Sequence, residues 1–118
     1  MRYEVLLTED AELDLEELYD HVSEHDAPGK AEALLHRVEQ VMESLAALPE
    51  RGSYPRELLA LGIREYRQTF FKPYRIIYRV VRPRVYILLI ADGRRNMQTL
   101  LARRLLGALR SRPRTRVR

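Results

Sequence analysis

The first half of the chain combines one short apolar run with two long helical patterns. Residues 3–7 have the apolar bias of a short strand, and the polar and acidic residues 8–10 then complement the free amides of a helix start. Apolar residues recur after this point at intervals of three and four, which places them on one helix face: Ala11, Leu15, Leu18, Tyr19 and Val22. A turn at residues 26–28 precedes a second apolar stripe, which runs from Ala31 until Pro49 stops it. We therefore expect a strand followed by an antiparallel hairpin of two helices.

The second half changes from helical to strand-like patterns after a loop at residues 50–62, which contains glycine and proline. Three runs rich in Tyr, Ile, Val and Phe follow, at residues 64–71, 74–81 and 85–91. The connections between these runs are so short that neighbouring strands must be antiparallel. The third run is apolar on both alternating faces, which predicts a central strand covered on each side.

The last predicted element is a helix that follows Asp92-Gly93, with Asn96 as its cap. Its apolar face comprises Met97, Leu100, Leu101, Leu105, Ala108 and Leu109. The fold class is thus α+β, in the order β-α-α-β-β-β-α, with an antiparallel sheet packed by a helical hairpin and a C-terminal helix. Residues 1–109 are expected to form one domain, and the basic residues 110–118 lack core positions and are predicted to be a disordered tail.

Charge is divided unevenly between the two halves of the chain. Residues 1–60 hold 5 Lys and Arg against 15 Asp and Glu, a net of −10, whereas residues 61–118 hold 16 against 2, a net of +14. The carboxylates of the first helix and the pair Arg103 and Arg104 are interpreted as solvated helix faces. A basic half of this strength favours nucleic acid or an acidic protein as a partner.

Composition and residue spacing bear on the cellular location of the protein and on its cofactors. The chain has no cysteine, which excludes disulfides and thiolate chemistry and suits a reducing cytoplasm. No apolar run approaches the length of a membrane span, and the start of the chain turns acidic where a secretory signal needs its apolar core, so we expect a cytoplasmic protein. His21 and His25 are four residues apart but lack a third ligand at metal spacing, and we expect neither a metal nor another cofactor.

Two motifs in the basic half are similar to those of a known family. The strand KPYRIIYRV at residues 72–80 resembles the YR(I/V)(I/V)Y strand of the RelE/ParE superfamily of bacterial type II toxin–antitoxin toxins, and ADGRRN at residues 91–96 resembles the end of that family's last strand. Both lie behind an acidic helical hairpin, and the resemblance covers nearly the whole chain. It implies a small toxin, neutralised by a co-encoded antitoxin, that acts on either the translating ribosome or DNA gyrase.

The ribosome-dependent branch of this superfamily cleaves mRNA with cations around the scissile phosphate and a group that transfers protons. By resemblance, Arg75 and Arg95 match two functional arginines of that branch. The two lysine positions on the preceding strand are Tyr66 and Gln68 here, and the tyrosine position on the last helix is Leu101. If the chain is a nuclease, Arg75, Arg95 and Tyr66 are the candidate catalytic residues.

The missing nuclease residues make this chain more similar to the ParE-like branch, which is associated with inhibition of DNA gyrase by binding. We expect the target to contact the strand end and the following helix, namely Arg94, Arg95, Met97, Leu101 and Leu105. An acidic, disordered antitoxin segment is expected to fold onto the basic strands. The residues assigned to that surface, which could equally be a platform for bases, are Arg64, Tyr66, Arg67, Arg75, Tyr78 and Arg79. A ribosome-dependent endoribonuclease and a non-toxic nucleic-acid-binding module remain as alternatives.

Overall fold

The computed structural model describes residues 2–110 and 115–117, with side chains described up to residue 106. The elements follow one another as β1 (Glu4–Thr8), α1 (Glu9–His25), α2 (Lys30–Ala47), α3 (Arg56–Leu59), β2 (Arg67–Phe71), β3 (Tyr74–Val81), β4 (Arg84–Asp92), α4 (Met97–Arg110) and β5 (Thr115–Val117). The predicted α+β order is confirmed, and both Thr8 and Asn96 cap helices as expected: Thr8 Oγ1 accepts from the Ala11 amide at 3.2 Å and Asn96 Oδ1 accepts from the Thr99 amide at 3.1 Å.

Three local predictions differ from the structure. The loop at residues 50–62 contains the one-turn helix α3, which starts after Pro55, and β2 starts at Arg67 rather than at residue 64. The tail prediction is wrong where the chain is described, because Arg110 ends α4 and Thr115–Val117 pair with β1 as β5. Residues 111–114 and 118 lie outside the described residues.

The sheet has the strand order β2-β3-β4-β1-β5, with β4 in the middle as predicted. The β2–β3–β4 meander is antiparallel, whereas β1 lies parallel to β4, so the sheet is mixed rather than wholly antiparallel. The parallel pairing is possible because the hairpin and the meander separate β1 from β4 along the chain.

The sheet has a core on each face, and a β-bulge in β4 changes which residues of that strand face each core. Ile77 pairs with Leu89 but the next residue, Tyr78, pairs with Ile87, so Leu88 is the extra residue. Val85 and Ile87 therefore face the same side as Ile90, and Leu89 and Ala91 face the opposite side. The first core lies under α1 and α2. The second and smaller core lies under α3 and α4, and its buried residues are Leu58, Ile77, Leu89, Ala91, Met97 and Leu101.

The strand β1 stops pairing before β4 does. Their register ends at Leu7 opposite Ile87, and α1 begins at Glu9. The Thr8 hydroxyl group donates to the Ile87 carbonyl at 3.0 Å and also caps α1. Residues 88–92 of β4 thus continue without a strand neighbour on that side, and their backbone groups need other partners.

An ion pair between Asp14 of α1 and Arg104 of α4 supplies those partners. Asp14 Oδ2 accepts from the Ile90 amide at 3.0 Å, and Arg104 Nη1 donates to the Leu88 carbonyl at 2.6 Å. The two side chains bind each other at 2.9 and 3.0 Å, and only 14% and 17% of their surfaces are exposed. The interpretation of Arg104 as a solvated residue is wrong, because it joins α4 to both β4 and α1.

Replacing Arg104 with Ala should lower the free energy of unfolding by about 3 kcal/mol, because Asp14 would keep a largely buried charge without its partner. Arg84→Ala is the matched control, since Arg84 pairs with Glu4 at the surface, where ion pairs contribute little. Urea unfolding of the three proteins at neutral pH measures the difference. Equal stabilities for the Arg104 and Arg84 variants would contradict a structural role for the Asp14 contact.

Candidate functional site

The strand-end loop, residues 92–96, is the first candidate site. Asp92 accepts from the Arg94 amide at 2.9 Å and from the Arg94 guanidinium at 2.6 and 3.0 Å, and these contacts lower the pKa of Asp92 to about 2. The Arg94 side chain is 82% exposed, and Arg95 is exposed and forms no ion pair with any residue that the structure describes. The loop therefore presents two cations that the fold does not bury.

The apolar residues predicted for the target-binding site lie in or against the second core rather than on an open surface. Met97 and Leu101 are 4% and 1% exposed in the second core, and Leu105 packs partly against it. The pattern correctly predicted an apolar helix face, but the sheet already covers that face. A partner cannot contact Met97 or Leu101 while α4 occupies this position, so within the predicted set Arg94 and Arg95 are exposed and Leu105 is partly buried.

Three of the predicted antitoxin-binding arginines border a side cleft of about 240 Å³, lined by Glu50, Arg64, Glu65, Arg67, Arg79 and Val80. Arg67 lies 4.6 Å from the centre of the Tyr54 ring and donates to the Gly52 carbonyl at 2.9 Å. Arg64 lies 5.8 Å from the same ring, and Arg79 lies 6.0 Å from the Tyr66 ring. Arg64 and Arg79 are exposed, so this part of the predicted surface is accessible.

The prediction for Tyr78 is wrong. Its side chain is 0% exposed, its hydroxyl oxygen accepts from the Gly52 amide at 3.0 Å, and burial raises its pKa. A Cβ atom at position 52 would lie 2.3 Å from the Gln68 carbonyl oxygen and 2.6 Å from the Tyr78 hydroxyl oxygen, so only glycine fits there. Because it is buried, Tyr78 cannot stack with bases or contact an antitoxin. Tyr66 is half-buried against the second core.

Arg75 is separated from the other arginines by its partners. Its guanidinium donates to both carboxylate oxygens of Glu57 in α3, at 2.8 and 2.9 Å, and to the side-chain oxygen of Gln68, at 2.9 Å from Nε. The Arg75 and Glu57 side chains are 15% and 16% exposed. The hydrogen bonds from Arg75 lower the pKa of Glu57 to about 2. This contact depends on α3, which the apolar pattern of the sequence does not indicate. The signal in the sequence for the start of α3 is Pro55, which directly precedes Arg56 and Glu57.

The three candidate catalytic residues do not line one cavity. Arg75 borders a pocket of about 400 Å³, the sheet-end pocket, which Tyr66 and Arg95 do not line. Its lining residues are Tyr54, Arg56, Gln68, Phe70, Lys72, Pro73, Tyr74, Arg75 and Gly93. The sequence did not indicate this pocket, because α3 and the β2–β3 turn are brought together only in the fold.

The acidic hairpin is not uniformly a solvated face. A groove of about 420 Å³ lies between α1 and α2. Its apolar lining is Leu7, Leu15, Leu35, Val38 and Met42, with Tyr19 beside it, and its carboxylates are Glu12, Glu16, Asp20 and Glu39. Some of the carboxylates that the helical pattern placed on a solvated face therefore border a concave apolar surface.

The remaining features add no further site. The His21 and His25 rings stack at 4.4 Å on the exposed side of α1. No group of three or more His, Asp and Glu side chains in the described part of the chain is arranged to hold a metal ion. Among the helices of residues 2–110, none is both long and apolar enough to cross a membrane.

The Glu57–Arg75 contact should make stability depend on pH in a defined window. Because folding lowers the pKa of Glu57 from 4.5 to about 2, its contribution is present above about pH 4.5 and is lost as the pH falls toward 2. Glu57→Gln should therefore be less stable than the wild type at pH 7, and the difference should shrink on acidification. Urea unfolding across this range measures it, and a difference that does not change with pH would contradict the assignment. Adding Arg75→Gln to both proteins should remove the pH-dependent difference.

Comparisons with known proteins show the family to which this fold belongs. The family model described as the ParE toxin of the type II toxin–antitoxin system, parDE, matches residues 5–97, which extend from β1 to the first residue of α4. Toxin ParE3 of Caulobacter vibrioides is 33% identical over 100 residues, covering 85% of this chain and 96% of that protein. A chain of the solved chromosomal ParDE system from P. aeruginosa is 26% identical with a TM-score of 0.62, covering 77% of this chain and 96% of that one. With a family match over most of its length and a relative of this identity, the chain belongs to the ParE toxin family of type II toxin–antitoxin systems.

Proposed function

We propose that this toxin inhibits DNA gyrase by binding it in the cytoplasm, and that an antitoxin encoded beside it neutralises this activity. Family membership implies an antitoxin partner. It also favours a toxin over a non-toxic nucleic-acid-binding module. The choice of gyrase over the ribosome is supported by what the chain has at the positions of the nuclease residues.

Three of those positions have structural roles in this fold. Leu101 is buried in the second core, and Gln68 accepts hydrogen bonds from Arg75. Arg75 itself is held by Glu57, so its charge is largely neutralised. A guanidinium is in any case a poor general base, because it does not lose its proton near neutral pH. This engagement of Arg75 is the observation that carries the proposal of a binding inhibitor rather than a nuclease.

The strand-end loop is the proposed gyrase contact. Arg94 and Arg95 extend from the end of the central strand, and Arg94 is oriented by Asp92. The loop is fixed at both sides, since the Gly93 amide donates to the Pro73 carbonyl at 2.7 Å and Asn96 caps α4. A rigid loop with two exposed cations lowers the entropic cost of binding a partner. Met97 and Leu101 are buried in the second core and Leu105 packs against it, so they are not proposed as contacts.

The side cleft is the proposed antitoxin contact. Its cations Arg64 and Arg79 are exposed, and Arg67 is oriented by Tyr54 and the Gly52 carbonyl. An acidic segment that folds on binding would find charge complementarity and partly exposed aromatic surface there. Because this cleft and the strand-end loop have different lining residues, antitoxin binding and gyrase binding can be separated by mutation.

Reversing both charges of the strand-end loop, Arg94→Glu with Arg95→Glu, should abolish growth inhibition. It should also weaken inhibition of gyrase supercoiling at least about tenfold, since interface hot spots typically contribute more than 1 kcal/mol each. Lys30→Glu with Arg82→Glu is the matched control, because it makes the same change in net charge at exposed residues of other elements. Thermal melts should show little change for either variant.

The outcome that would contradict this site is full supercoiling inhibition by the Arg94 and Arg95 variant, or an equal loss in the control. Capture of the co-encoded antitoxin by the loop variant should persist. Arg64→Glu with Arg79→Glu should instead weaken antitoxin capture and leave gyrase inhibition intact.

The purified toxin should not cleave mRNA on translating ribosomes at the rate of a nuclease of the superfamily. The physical reason is the loss of a proton-transfer group, which typically costs about 10²–10⁴-fold in rate. Primer extension on mRNA from a cell-free translation reaction that contains the purified toxin measures this directly. Codon-dependent cuts that disappear in Arg75→Ala would contradict a binding mechanism and would favour the ribosome as the target.

A further inference from the structure

Most residues that line the sheet-end pocket belong to neither proposed contact. The pocket lies between the start of α3 and the turn that joins β2 to β3, and its volume of about 400 Å³ is in the range of small-ligand sites. Its lining includes three aromatic rings and three cations but no Asp or Glu. In a protein whose surface also carries many carboxylates, a concave site of this composition selects for an anionic ligand.

Phe70 is the most unusual residue of the pocket. It is 59% exposed, whereas its neighbours Thr69 and Phe71 point to the other side of β2 and are buried. Phe70 is directly opposite Arg75 in the β2–β3 register, so both side chains lie on the same face of the sheet. A large apolar ring left in solvent beside cations provides a stacking surface.

The cations of the pocket differ in their availability. Arg75 is held by Glu57 and Gln68 and forms a fixed wall. Arg56 and Lys72 are exposed, and neither has a carboxylate at ion-pair distance among the residues that the structure describes. The nearby carboxylates, Glu57 and Asp92, already bind Arg75 and Arg94. Two charges are thus free to bind a phosphate.

We propose that the sheet-end pocket binds single-stranded nucleic acid, with one base stacked on Phe70 and an adjacent phosphate held by Arg56 and Lys72. A ring and unpaired cations in one pocket match the two parts of a nucleotide, whereas an acidic peptide would use only the cations. The base must be unstacked from its neighbours to reach the ring, which favours single strands over duplexes. This site does not depend on gyrase inhibition, because Phe70, Arg56 and Lys72 lie outside the strand-end loop, of which only Gly93 lines the pocket.

Fluorescence anisotropy with a short labelled oligothymidylate and the full-length toxin tests this site. The wild type should bind, and its affinity should fall as salt is raised. Phe70→Ala should weaken binding about 5- to 150-fold, the range for losing one stacked base. Lys72→Ala should reduce the slope of log affinity against log salt by about 0.7, the contribution of one phosphate on a single strand.

The chain offers a matched control for each change. Lys30, on α2, is its one other lysine and is also exposed, and Leu61 is an exposed apolar residue outside the pocket. Lys30→Ala and Leu61→Ala should both retain wild-type binding, and thermal melts should be unchanged for all four variants because these side chains are exposed.

Two results would overturn the site. The first is an absence of oligonucleotide binding at low salt, or binding that the control variants weaken as much as Phe70→Ala and Lys72→Ala do. The second is a polyglutamate peptide that binds with the same dependence on Phe70 and Lys72, because the pocket would then recognise acidic protein segments rather than nucleic acid.

Discussion

The early end of β1 is the constraint on which the rest of the structure depends. Because α1 begins immediately after Thr8, the second half of β4 has β3 on one side but no described strand on the other, and its amide and carbonyl groups on that open side must be bound by side chains. Asp14 and Arg104 bind these groups and each other. One ion pair thereby joins the central strand β4 to α1 and α4. As a result, α4 lies over the sheet, and the strand-end loop that precedes α4 is held in place.

The bulge at Leu88 has a second consequence, since it changes the direction of the side chains along β4. Val85 and Ile87 before the bulge share the first core with Ile90 after it, whereas Leu89 and Ala91 belong to the second core, and the sheet is covered on both faces. The acidic hairpin lies on one face, and α3 and α4 lie on the other. The charge division of the sequence is therefore also a division in space, with the basic pockets on or around the meander and the acidic groove within the hairpin.

The arginines of the basic half, together with Arg56, fall into two groups that have the same chemistry but different surroundings. Arg75 and Arg104 are largely buried and bind carboxylates, so they hold α3 and α4 on the sheet. Arg56, Arg64, Arg79 and Arg95 are exposed and can bind a partner. The difference between buried, paired arginines and exposed ones also matters for the comparison with nucleases of the superfamily. An arginine at a matching sequence position has a different role when a one-turn helix places a glutamate against it.

The sequence by itself determined the order of the three long helices and of β1 to β4, the position of the central strand, the helix caps and the family, because these depend on periodicity, capping chemistry and motifs that are local along the chain. It also placed exposed arginines correctly at the strand-end loop. It could not place Tyr78, Met97 and Leu101 in the interior, since an apolar or aromatic pattern looks the same whether a partner or the chain's own sheet covers it. Nor could it pair Asp14 with Arg104, or group Phe70 with Arg56 and Lys72. Those contacts join residues far apart in sequence, and only the register, the bulge and the early end of β1 decide which side chains meet.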